Sequence, residues 1–254
     1  MTDSGVTVLV GGVYELFQGD LDLGRLAVER LRAEALPHVL AEDLHYGAVA
    51  VVQRLEDLRP QTLVLVTAVR RDRPPGTVAR QRVQPTAVDP ADFQAAVGDA
   101  VTGYVHVDLL VEVASGFQAL PARTVAIEVE PAHVGPGEGL SPLAAAALED
   151  ALAMVRAEVR RAPLLQLVEE LSGMVEGDRL TPSPGLDALR VLLDELDGLD
   201  RHGSWGHAFA LRDRMRLAIA SASSSEGMDH RDWGLWWALI EELDRLEALE
   251  AVSR

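Results

Sequence analysis

Through the first 160 residues, short β-branched runs alternate with amphipathic helical stretches, and beyond them no such run occurs. That pattern constrains the fold more than any other feature of the sequence. Val6 to Val10, the HVLAE stretch after Pro37, Thr62 to Val69 and Arg123 to Val129 read as buried strands. Val6 to Val10 is expected to end at Gly11-Gly12. The RRDRPPGTVARQRV segment reads as a turn followed by an alternating strand, polar on one face and therefore at a sheet edge. Helices are expected from Leu23 to Ala35 and Ala48 to Leu58, from Asp89-Pro90 onward, and over Val107 to Ser115. Ser141-Pro142 supplies an N-cap and a first-turn proline for a longer one.

Strands alternating with helices predict an α/β domain: a mostly parallel, twisted sheet of about five strands with helices on both faces. Ligands of such sheets bind beyond the carboxyl ends of the strands. The loop after the first strand, His45, Thr67 and residues 100–108 belong to that end. The chain is expected to divide into an α/β domain at 1–162, a helix and linker at 163–185, and a three-helix C-terminal domain at 186–254. The GDRLTPSPG stretch marks the linker.

Composition removes several function classes. The net charge of −17 excludes a bare nucleic-acid partner, because phosphate neutralisation requires clustered positive charge. Every basic residue is arginine. There are no cysteines, so disulfides, thiolate nucleophiles and cysteine-ligated metals are excluded. No apolar run approaches the length of a membrane span, and the first ten residues lack a basic n-region; a cytoplasmic protein is expected. A Gly-x-Ser-x-Gly elbow, the full dinucleotide fingerprint and the P-loop lysine are all missing.

Five stretches in order carry a resemblance: VLVGG, then GD…G…AVERL, then TLVLVTAVRRDRPPGTV, LPARTVAIEVEP and GEGLSPLAAAAL. Over roughly its first two-thirds the chain resembles the hydrogenase maturation endopeptidases, which remove a C-terminal peptide from the nickel–iron hydrogenase large subunit. PPGTV and GEGLSP are its more specific parts. The resemblance implies a protein partner, the large-subunit precursor. It implies no intrinsic cofactor, since the nickel arrives with the substrate and is contacted by an acidic residue, an aspartate and a histidine of the enzyme. Such a ligand set could polarise a peptide carbonyl or activate water.

Aligned position by position, this chain departs at all three. The acidic pair of the first loop falls on Asp20-Leu21, which places Leu21 at the ligand position and Glu15 at an asparagine. The aspartate ending the third strand falls on Thr67. The histidine falls near Thr102, with His106 the nearest imidazole, one helical turn later. Two readings of activity follow: a processing endopeptidase, or a degenerate, non-proteolytic scaffold or assembly factor.

Asp20, His45 and His106 are the candidates for a rebuilt metal site of two histidines and one carboxylate. The competing reading makes Asp20 and Asp22 helix-terminal acids, and gives His106 and Asp108 a capping role. Glu128 and Glu130 share a strand face, and Glu138 belongs to a turn. In the last helix Trp233, Trp236 and Trp237 form either a core stripe or a partner-binding surface.

Overall fold

The computed structural model describes residues 7–84, 89–100, 105–176, 184–202, 205–222 and 230–252. Two compact units are present, 1–159 and 160–254.

The first unit is a five-stranded sheet built from β1 (Val8–Val13), β2 (Val39–Asp43), β3 (Thr62–Ala68), β4 (Val78–Val83) and β5 (Arg123–Val129), in the order β2-β1-β3-β5-β4. All neighbours are parallel except β4, which pairs antiparallel with β5 at the edge. The α/β class, the strand number and the polar edge strand agree with the sequence pattern.

Helices α1 (Leu23–Glu34), α2 (Ala48–Leu58), α3 (Pro90–Ala100), α4 (Val107–Gly116) and α5 (Pro142–Glu176) complete it. Leu9, Leu63, Leu65 and Ala126 bury one sheet face against apolar residues of α2, α3 and α4. By strand alternation Val8, Val10, Val64 and Val66, all buried, line the other. There α1 packs on β1, and pairs Arg30–Glu149 and Arg156–Glu34 join α1 to α5. Glu158, 1% exposed, takes Arg80 of β4 and Arg123 of β5, so the buried charge on α5 is matched twice.

Strand β1 does not stop at its glycines. It runs through Gly11-Gly12 to Val13, since both are close-approach positions rather than turn positions. A Cβ on Gly12 would lie 2.5 Å from the Gly24 carbonyl oxygen, and one on Gly24 would lie 2.6 Å from the Val13 carbonyl. Gly12 with Gly24 lets α1 sit directly on the strand, while Gly11, on the opposite face, makes room for Leu44.

The second unit contains the end of α5 with α6 (Pro184–His202), α7 (Ala208–Ala222) and α8 (His230–Val252). Its core joins Leu164 and Leu171 of α5, Leu189 and Leu196 of α6, Met215 and Ile219 of α7, and Trp236, Leu239 and Leu243 of α8. The helix expected as a connector at 163–176 is therefore a wall of this core. The unit boundary falls in α5 one turn before Pro163, whose missing N–H leaves a carbonyl of the preceding turn without its helical donor. Among the described residues, no helix is long and apolar enough to cross a membrane.

Candidate functional site

Strand β1 lies between β2 and β3, so the chain leaves it in opposite directions along the sheet. Open α/β sheets form a crevice at the carboxyl ends of the strands flanking such a reversal. A cavity of about 240 Å³ lies there. Its walls come from Val13 and Tyr14 at the end of β1, Leu21 in the following loop, Thr67 to Arg70 at the end of β3, Val105 to Val107 at the start of α4, and Val134.

Three predicted site residues meet in this cavity: Leu21, Thr67 and His106. The positions matched to the family's first two ligands face one space, and the nearest imidazole to the third stands on its wall. Thr102 lies outside the described residues. Chemically the convergence is muted. Leu21 offers only methyl groups, and Thr67, 3% exposed, directs its hydroxyl to the Ala68 carbonyl. His106 is the N-cap of α4 and accepts the Leu109 N–H at Nδ1, 3.2 Å away. That acceptance assigns the proton of the neutral ring to Nε2.

Asp20 does not face the cavity. It is fully buried, and both carboxylate oxygens are taken by four donors: the Ala132 and His133 N–H groups at 2.8 Å, the Ser141 N–H at 2.7 Å and the Ser141 hydroxyl at 2.9 Å. Burial by itself raises its pKa; the hydrogen bonds from Ser141, His133 and Ala132 outweigh that and hold it below the ordinary aspartate value. Asp20 is an anchor for the 131–141 segment, whose sequence separation from it hid the role. Its neighbour Asp22 pairs with Arg25.

His45 is also elsewhere. Its ring stacks on Tyr14 at 4.1 Å between centroids, with Nδ1 buried. Tyr14 hydrogen-bonds Asp43; burial first, and then that carboxylate, push its phenol well above the ordinary value. The expected set of Asp20, His45 and His106 is thereby corrected. Among the described residues, no group of three or more histidines and carboxylates is placed to hold a metal ion.

What the sequence pattern missed is the arginine run after β3. Arg71 bridges Asp108 of α4 and Glu128 of β5, and its own N–H donates to Glu130. Arg73 holds the second oxygen of Glu128. Glu128, 1% exposed, sits beside Thr67 in the sheet register, so a charged side chain does occur next to the cavity, locked between two guanidiniums. Arg70 lines the cavity itself, exposed and without an ion pair among the described residues. Three arginines in four residues of a chain with net charge −17 was the available signal.

Trp236 is fully buried in the C-terminal core, Trp233 packs against that core, and Trp237 is 48% exposed. Position 236 shares its helix face with Leu239, Ile240 and Leu243, whereas 237 is turned about 100° away. The partner-binding reading is thus corrected for Trp236.

No family model and no curated protein matches the chain. Among solved structures it is similar to the hydrogenase 2 maturation peptidase from Thaumarchaeota archaeon SCGC_AB-539-E09, with 24% identity, 60% of this chain and 97% of that chain covered, and a TM-score of 0.43. It is similar to the hydrogenase maturating endopeptidase HybD from E. coli, with 22% identity, coverages of 61% and 93%, and a TM-score of 0.44. A third is an endopeptidase from Escherichia coli, at 27% identity, coverages of 61% and 93%, and a TM-score of 0.46.

Proposed function

We propose that this chain is a hydrogenase maturation protease-like protein that binds the nickel–iron hydrogenase large subunit during its maturation without cleaving it. The reading is carried by one observation: Leu21 and Thr67 stand at the matched ligand positions on the wall of a single cavity. On this reading the cavity is the place where a peptide meets the family's ligands, with an aliphatic group and a hydroxyl already engaged with the backbone standing where those ligands are expected. A neutral hydroxyl and a leucine do not coordinate a substrate-borne nickel ion. Peptide hydrolysis also lacks its alternatives here: no cysteine exists, and the nearest imidazole spends one nitrogen on a helix cap.

The chain therefore acts as a partner of the large subunit, in the manner of an assembly factor, with the cavity as its peptide-binding part. Purified protein mixed with nickel-loaded precursor is expected to co-elute with it and to leave the large subunit at full length. Failure to co-elute with the precursor contradicts the binding half of the reading, and shortening of the subunit contradicts the other half.

A further inference from the structure

The cavity has an asymmetric wall. Val13, Leu21, Val69, Val105 and Val107 make it aliphatic, while Arg70, next in sequence to Val69, is an exposed arginine of the same lining. Glu15, the acid on the same wall, is not a free charge. Arg71 and Arg73 are both committed to carboxylates of the chain, which leaves Arg70 as the cation of that run available to a ligand. In a protein of net charge −17, an exposed arginine with no acid paired to it among the described residues stands out as an anion-seeking group.

At about 240 Å³ the cavity is smaller than a pocket for a drug-sized molecule and suits one or two aliphatic side chains. The aliphatic lining and the cation meet at consecutive residues, Val69 and Arg70. A ligand that satisfies both must carry an aliphatic group and a carboxylate within a few bonds of each other. The C-terminal residue of a polypeptide has that arrangement, with side chain and α-carboxylate on one carbon. We infer that the cavity captures a free polypeptide C-terminus, seating an aliphatic last side chain against Leu21 and Val69 and pairing its α-carboxylate with Arg70. No bond is made or broken.

The inference rests on the reading above only in treating the cavity as a peptide site. Its test is a titration of the full chain with three acetylated octapeptides: one ending in leucine as the free acid, the same peptide as its C-terminal amide, and a free acid ending in glycine. The leucine acid is expected to bind about tenfold or more tighter than either of the others. In Arg70→Gln the acid is expected to fall to the level of the amide, with the amide unchanged, while Arg70→Lys keeps part of the preference. Circular dichroism of both variants should match the parent, since Arg70 is exposed. Equal binding of acid and amide, or an acid preference that survives Arg70→Gln, overturns the inference. So does an amide bearing glutamate before its leucine that binds as tightly as the acid, and so does absence of binding by all three peptides. A large subunit that co-purifies while the peptides show no end preference sinks this inference alone. An end preference without large-subunit binding sinks the maturation reading alone.

Discussion

At Thr67 the sheet register disfavours an aspartate. Thr67 lies beside Glu128 on the neighbouring strand, and strands are about 4.8 Å apart. Both side chains are buried, and Glu128 already absorbs two arginines. Thr67→Asp would place a second carboxylate beside it, and we expect a loss of about 2–4 kcal/mol in urea unfolding. Thr67→Asp combined with Glu128→Gln should recover a substantial part of that loss, and additive effects would contradict the coupling. Asp20 makes the opposite case, a carboxylate the fold requires. Asp20→Ala leaves three part-buried backbone N–H groups without their acceptor and should cost about 2 kcal/mol. The pH dependence follows from its lowered pKa. Above the unfolded value near about 3.9 the stabilisation is fully present, and it is lost as pH falls through the lower folded value. Asp20→Asn should remove that part of the acid dependence below about pH 4, as read from urea midpoints against pH. Local pattern exposed the acid but not its partners, which lie 112 to 121 residues away.

Among the elements, the sheet was legible and its junctions were not. Five strands and a polar edge follow from β-branched runs and alternation, which are local properties. The continuation of β1 through Gly11-Gly12 depends on how closely α1 approaches Gly12 on one face and Leu44 approaches Gly11 on the other, tertiary facts that leave only two glycines in the sequence. The clamp of Arg71 on Asp108 and Glu128, which ties α4 and β5 to the end of β3, is of the same kind. Its two ends differ in burial, so their removal should differ in cost. Asp108→Ala, at a side chain 55% exposed, should change stability by less than about 1 kcal/mol. Arg71→Ala, which leaves buried Glu128 to Arg73 alone, should cost about 2–3 kcal/mol. Equal effects in denaturant unfolding would contradict this division.

On the scale of the whole molecule, all four tryptophans fall at positions 205, 233, 236 and 237, inside the C-terminal unit. Tryptophan fluorescence therefore reports that unit alone. Trp236→Ala should destabilise the fluorescence-detected transition by about 3–5 kcal/mol, because a fully buried indole is removed from the core. Trp237→Ala, at an exposed position, should leave it within about 0.5 kcal/mol. In the first unit a cavity lies at the carboxyl end of the sheet, and Leu21 and Thr67 on its wall carry no carboxylate. Incubation of the chain with nickel-loaded large-subunit precursor tests most directly whether binding is separated from cleavage. A stable complex is expected in which mass spectrometry finds the large subunit with its C-terminal extension intact; a subunit shortened by that extension would contradict the proposed role.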